Sequence, residues 1–203
     1  MIILGYSGHA FVVCGILKNA GQTISGYCDR EEKPYNPFQL TYFGNEHDAR
    51  ALAAMEQKGC FIAVGDNTIR NNIYHQLALK GIRIFNAIHP SAIADASVNI
   101  AAQAVMIAAN VTINPLANIG TGVILNTGCI VEHECVVGDF SHIGPGAVLC
   151  GNVKIGERSF IGANAVIRQG ITIGKNTMIG AGAVVVKDVA HHAVIVGNPG
   201  KTR

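Results

Sequence analysis

The sequence predicts a small parallel α/β domain joined to a three-sided parallel β-helix, and three observations carry that prediction. Every sixth residue from Ile113 to Val185 is Leu, Ile or Val, thirteen positions without an exception. Four residues after each comes a small or β-branched one, from Ala117 and Val123 to Ala183 and Val189. A hexad is too long for strand alternation and does not fit a 3.6-residue period; repeated, it is the signature of a β-helix. The residue after each aliphatic then reads Glu132, Gly138, Gly144, Cys150, Gly156, Gly162, Arg168, Gly174, Gly180, Val186. Two glycines and a non-glycine recur with a period of eighteen, so three hexads make one coil, with glycine expected to ease two of its three corners. The third corner differs and carries Glu132, His133 and Glu134. Finally, residues 1–86 alternate short apolar strands with helical stretches, the pattern of a parallel sheet covered on both faces.

Taken in order, Ile2–Leu4 reads as a strand running into Gly5-Tyr6-Ser7-Gly8-His9, followed by a helix through Phe11, Val13, Ile16 and Leu17 that ends near Gly21. Residues 23–28 read as a second strand with Asp29 at its carboxyl end, and 30–38 as a loop with two prolines. Residues 46–58 are Ala-rich and helical. Residues 60–64 form a third strand ending in Gly65-Asp66-Asn67, a helix runs to about Lys80, and 82–85 form a last strand. Asn86 to Pro90 is the joint, which divides the chain into 1–86 and 87–203. The solenoid is expected from Ile93, with one residue bulged near Met106 because Ile100 and Ile107 are seven apart, and about five coils in all. His191 to Arg203 leaves the repeat as a C-terminal extension.

Composition narrows the function. The net charge is +2 with no basic tract, which gives no footprint for nucleic acid. No apolar run is long enough to span a membrane, and the N-terminus has no charged leader, so a cytoplasmic protein is expected. The six cysteines lack CxxC spacing and read as reduced. No His/Cys/Asp/Glu spacing suggests a metal site.

Two places carry chemistry. Strand–GxxG–helix is a phosphate cradle in principle, because glycines admit backbone N–H groups to an anion and the helix dipole favours it. Asp29-Arg30 and Gly65-Asp66-Asn67 also lie at carboxyl ends of strands, where α/β sheets bind ligands, and Asp29 stands about twenty residues past Gly8, where an acid can meet a ribose hydroxyl. A tight turn serving only the fold is the competing reading. The second place is Val131-Glu132-His133-Glu134-Cys135. Val131 and Cys135 point inward, so His133 does not. A histidine is the natural base near neutral pH, and an adjacent carboxylate fixes its tautomer and raises its basicity. One coil above His133 stands Gly151, which leaves room for a substrate carbonyl and an N–H aimed at developing charge. A surface histidine between solvated acids is the alternative. His142, half a coil away, lies on another face and shares a site with His133 only across a subunit boundary. The short-chained column Pro145, Ala163, Ala181 suits either a groove wall or subunit packing. His47, His75, His89, His191 and His192 are assigned no role.

Gly5-Tyr6-Ser7-Gly8-His9, Asn126-Thr127-Gly128, Glu132-His133-Glu134, the run from Gly138 to Ile143, and Gly197-Asn198-Pro199 resemble the bacterial hexapeptide-repeat sugar acetyltransferases, in particular the UDP-4-amino-sugar N-acetyltransferases and the sialic acid O-acetyltransferases. The resemblance spans both domains. It implies a Rossmann-like domain on a left-handed β-helix, a homotrimer with sites between subunits, and acetyl-CoA as co-substrate without a metal. It implies His133 as base, Glu134 as its supporting acid and Gly151 as oxyanion donor. His142, Ala163, Ala181 and Pro199 correspond to cofactor contacts, and Ser7, Gly8, His9, Asp29, Arg30 and Gly65 to the nucleotide-sugar pocket. The chain departs at Gly200, where alanine is usual, and at Ala163 and Ala181, where side chains vary; backbone contacts survive both.

The reaction expected is therefore acetyl transfer from acetyl-CoA to the amine of a nucleotide-linked sugar, by direct attack without an acyl-enzyme. Three rivals remain at this level: O-acetylation of a sugar hydroxyl such as that of sialic acid, a nicotinamide-dependent oxidoreductase built on residues 1–86, and a non-enzymatic scaffold.

Overall fold

A computed structural model describes residues 1–203. Ile2–Leu4 (β1), Gly26–Cys28 (β2), Thr41–Tyr42 (β3) and Cys60–Ile62 (β4) form one parallel sheet in the order β3-β2-β1-β4. The helices Gly8–Asn19 (α1), Ala49–Lys58 (α2) and Asn67–Leu79 (α3) cover it. β1, β2 and β4 are buried at every residue, which is why they read as continuous apolar runs rather than alternating ones. Two details differ from the expectation. β3 lies just beyond the proline-containing loop and carries no pattern of its own, being only two residues long. The expected strand at 82–85 contracts to a single bridge between Cys60 and Ile84.

From Ala87 the chain coils into a left-handed parallel β-helix with three sheets. Pairing starts one side earlier than the hexads suggested, with Ala87 opposite Met106 and Ile88 opposite Ile107. The register is nineteen residues in the first coil, eighteen through the regular coils and sixteen in the last, where Met178 pairs with Val194, so the extra residue of the first coil falls between Ile100 and Met106. The first side holds seven parallel strands, from Ala87–Ile88 to Val194–Val196, so there are about six coils, one more than expected. All thirteen hexad aliphatics are buried, and Val189 is the one partner residue that is not. Buried hydroxyls close part of the lumen: Ser141, Ser159 and Thr177 stack in one column and donate to the carbonyls of Gly156, Gly174 and Ala190.

The corner glycines serve a different purpose from the one inferred. Gly138, Gly144, Gly156, Gly162 and Gly174 do not have positive φ. They are needed for space: a Cβ on Gly138 would stand 2.8 Å from the nitrogen of Glu157, and one on Gly156 2.5 Å from that of Lys175, in the next coil. The left-handed turns are made three residues after each hexad aliphatic, by a column running from Asn110 to Gly182. Gly and Asn fill most of it, as sterics favour; Leu116, Glu134, Phe140 and Arg158 are the bulkier exceptions.

The three sides have different outer surfaces. On the first, Met106, Ile124 and His142 point outward yet are buried, because the core continues through them into Tyr6, Ala10 and Val13 of the N-terminal domain. The second carries an outward apolar stripe of Ile130, Val148, Val166 and Val184, each half-buried in the single chain. The third presents Asn99, Asn118, Val136, Lys154 and Thr172 to solvent.

Candidate active site

His133 stands at the corner where the second side turns into the third. Its Nδ1 lies 3.0 Å from Oε2 of Glu134, and both side chains are more than half exposed. An exposed pair adds little stability, so the contact acts by orientation. With Nδ1–H given to the carboxylate, Nε2 keeps its lone pair. Glu134 is one of the bulky residues at positive φ (+59°), and that backbone turn brings its carboxylate back to the neighbouring imidazole. Gly151 lies directly over the ring: a Cβ there would be 2.5 Å from both Cε1 and Nε2 of His133. The Gly151 N–H has no acceptor within the chain, whereas its carbonyl accepts from Gly170. The result is a depression of about 500 Å³ lined by His133, Cys150, Gly151, Asn152, Gln169 and Gly170, with a free base nitrogen and a free N–H side by side.

In the N-terminal domain, Ser7, Asp29, Arg30 and Gly65 line one cavity of about 350 Å³, joined by Lys33 and Glu46. Ser7 precedes α1 without capping it, which leaves first-turn N–H groups open at Gly8. Gly5 turns at φ +82° where a Cβ would press on Val64, so the glycine there is a steric requirement. Asp29 is partly engaged already: Oδ2 accepts from the Tyr6 N–H at 2.8 Å, Oδ1 from the Arg30 N–H at 2.7 Å, and Lys33 is 3.3 Å away.

Gly8 does not line that cavity, and neither does His9. Its ring packs on Gly65 and lies 6.1 Å from the ring of His142 across the domain junction. Nε2 of His9 and Nδ1 of His142 are buried without hydrogen-bond partners. Burial, then the charge of Arg70, lowers His9 to about 4; burial, Arg70 and His9 lower His142 to about 3, so both rings are neutral. The side chain of Asn126 is oriented by the Thr127 N–H on its oxygen, so its amide donates to Nε2 of His142 at 3.2 Å. His142 therefore carries its proton on Nδ1. It sits beneath the N-terminal domain rather than on an open groove of the solenoid, which sequence spacing did not reveal.

Ala163 and Ala181 stand at the corner between the first and second sides, and their N–H groups have no acceptor in the chain. Pro199, in the C-terminal extension, lines a cavity of about 450 Å³ with Lys187, Lys201 and apolar residues of the last coil. One buried residue escaped the sequence reading altogether. Arg70 of α3 has no exposure and donates to both domains; the only hint was an Asn67/Arg70 pair one helical turn apart.

Residues 1–77 match the PglD N-terminal domain family, and residues 134–169 and 152–187 match the bacterial transferase hexapeptide (six repeats) family. Among solved structures, PerB from Caulobacter crescentus, in complex with CoA and GDP-perosamine, is 36% identical with a TM-score of 0.91, covering all of this chain and 96% of that one. The acetyltransferase domain of PglB from Neisseria gonorrhoeae FA1090, in complex with acetyl coenzyme A, is 32% identical with a TM-score of 0.90, covering all of this chain and 98% of that one. This chain belongs to the hexapeptide-repeat sugar N-acetyltransferases. A perosamine N-acetyltransferase variant from Caulobacter crescentus, also with CoA and GDP-perosamine, is similar at 35% identity and a TM-score of 0.93, covering all of this chain and 95% of that one. The structure of this N-acetyltransferase holds no cluster of three or more potential metal ligands, and no helix is long and apolar enough to cross a membrane.

Proposed function

We propose that this enzyme transfers the acetyl group of acetyl-CoA to the amine of a nucleotide-linked amino sugar. The observation that carries the reading is His133, oriented through Nδ1 by Glu134, with Nε2 open beneath the unengaged N–H of Gly151. Acetyl-CoA supplies the acetyl group as a thioester. Nε2 accepts the proton the amine loses as it attacks, Glu134 stabilises the imidazolium so formed, and the Gly151 N–H meets the charge that develops on the acyl oxygen. Direct attack by the amine needs no acyl-enzyme, and the lumen thiols are unsuited to forming one: burial raises Cys129 to about 12 and Cys135 to about 11, far from the thiolate form. The free N–H groups of Ala163 and Ala181 and the Pro199 region are the groups we assign to acetyl-CoA; His142, expected among them, is covered by the N-terminal domain. Ser7, Gly8 through its open N–H, Asp29, Arg30 and Gly65 are those we assign to the acceptor's nucleotide, with His9 packed behind Gly65.

We further propose that the division of labour spans more than one subunit. The apolar second side is flanked by the His133–Gly151 corner on one edge and the Ala163–Ala181 corner on the other. Burying that side around a three-fold axis sets the base of one protomer beside the cofactor column of the next, and we propose a homotrimer with the site between subunits. The stripe of Ile130, Val148, Val166 and Val184 supports it, because four β-branched apolar residues have no other cover. A cytoplasmic location fits six unpaired cysteines.

The acceptor's nucleotide is taken as uridine or guanosine diphosphate: the resemblance suggested UDP, while the complexed neighbours hold a GDP-sugar. Thiol release from acetyl-CoA, measured across UDP- and GDP-linked 4-amino sugars and free sialic acid, tests the proposal. Release with a nucleotide amino sugar upholds it; release with sialic acid alone replaces it with O-acetylation.

A further inference from the structure

Arg70 is the bulkiest of the fully buried side chains. A guanidinium in such a place ordinarily faces a carboxylate, yet none of the ion pairs in the protein includes it. Its five N–H groups go instead to five neutral oxygens. Nε donates to the Gly122 carbonyl at 2.8 Å and Nη2 to the Phe140 carbonyl at 2.8 Å, both in the solenoid. Nη1 donates to the carbonyls of Val64 and Gly65 at 3.0 Å, and Nη2 also to Oδ1 of Asn67 at 2.8 Å. The amide of Asn67 then donates to the carbonyls of Arg158 and Ser159 at 3.1 and 3.2 Å. One buried cation and its helical neighbour thus bind the segment from Val64 to Asn67 to three successive coils.

An apolar side chain of similar volume would hold two domains together without burying a charge. Five directed bonds do something it cannot: they fix the rotation as well as the position of that segment. The segment is shared between two cavities. Val64 and Gly65 line the N-terminal pocket with Ser7, Asp29 and Arg30. Gly65, Asp66 and Asn67 line a second cavity of about 370 Å³, bounded on the solenoid side by Phe160, Asn176 and Met178. His9 rests on Gly65, and His142 stands 6.1 Å beyond it. Whatever is held in the N-terminal pocket is therefore indexed to the solenoid through Arg70.

We infer that Arg70 is a positioning residue for acetyl transfer: it sets the reach from the nucleotide pocket to the acetyl site, so that holding the nucleotide places the amine. This rests on the nucleotide-sugar reading above. A misplacement of about 1 Å far from the reacting atoms can cost about 10²-fold in rate, and the loss falls only on acceptors that use the nucleotide pocket.

The test compares a nucleotide-linked amino sugar with the same amino sugar lacking its nucleotide, in the wild type, Arg70→Met and Asn67→Ala. Arg70→Met is expected to lower kcat/KM for the nucleotide-linked acceptor by about 30–100-fold, chiefly in kcat, with KM for acetyl-CoA within about twofold and the slow rate on the free amino sugar unchanged. Asn67→Ala, which keeps the cation, is expected to lose about tenfold in the same pattern, and carries the test alone if Arg70→Met does not fold. Equal losses on both acceptors, or no loss, overturn the inference. If the wild type acetylates no amino sugar, the functional reading fails, and the lock is judged by hydrogen exchange of the whole protein. Faster exchange in the variants confined to residues 64–68 and 121–123 upholds it; unchanged or uniformly faster exchange overturns it.

Discussion

On the proposed mechanism, the absence of a side chain at Gly151 is the functional feature. The backbone N–H would survive substitution, but a methyl group would meet the base nitrogen of His133 at 2.5 Å. Gly151→Ala is therefore expected to lower kcat by about 10²-fold or more, comparable to losing an oxyanion donor, while the folded structure persists because the site is open to solvent. Steady-state kinetics with a circular-dichroism check decides this; a variant with wild-type kcat would remove Gly151 from the site. The pairing of His133 with Gly151 was legible in the sequence, because a period of eighteen fixes which residues stack. The setting of Glu134 was not: its identity suggested a partner for the base, but only the backbone at φ +59° shows how it turns back to reach Nδ1. Arg70 and Asn67 left almost no sequence signal, since helical spacing does not say which charged residue is buried at a domain junction. The depth of His142 was hidden for the same reason.

Among the elements, the first side of the solenoid joins core to site, and two expectations belong to it. His9 and His142 stay neutral in the fold down to about pH 4 and about pH 3, whereas an unperturbed imidazole protonates near 6.5. Between those values the unfolded chain binds more protons, so stability rises with pH there. The contribution is complete above pH 6.5 and is lost as pH falls from 6.5 toward 4, at up to about 1.4 kcal/mol per unit for each ring. Urea midpoints at pH 7, 6 and 5 should fall accordingly, and His142→Asn should reduce the slope; a slope unchanged in that variant would mean that His142 is not held neutral. Ser159 tests the lumen. It is fully buried, donates to the Gly174 carbonyl at 2.6 Å and accepts from the Thr177 N–H at 3.1 Å. Ser159→Ala should cost about 1–3 kcal/mol of stability by denaturant titration and leave kcat unaltered. The inward columns were readable because hexads repeat without an interruption. The corner glycines were correctly located but given the wrong reason: composition marks a glycine, and only neighbouring coils show that it is close approach, not positive φ, that requires it.

For the molecule as a whole, the three sides of the solenoid are put to three uses: one carries the N-terminal domain, one presents an apolar stripe, and one faces water. That arrangement puts the His133–Gly151 corner and the Ala163–Ala181 corner, the proposed base and cofactor column, on opposite edges of a single face. The proposed trimer is tested in the middle of the stripe: with that assembly, the wild type should scatter light as a trimer and Val166→Lys as a monomer that has lost activity with His133 untouched. A monomer of wild-type activity would show that one subunit suffices. The domain order and the coiling were evident from periodicity, whereas the start of pairing at Ala87 was not, because the first coil is one residue longer than the others and its hexads are out of step. The central claim is that His133 is the base for acetylation of a nucleotide-linked amine, and thiol release from acetyl-CoA tests it most directly. The wild type should release one thiol for each amine acetylated, and His133→Ala should bind CoA normally but turn over about 10²–10⁴-fold more slowly. A His133→Ala enzyme with a near wild-type rate would contradict the account.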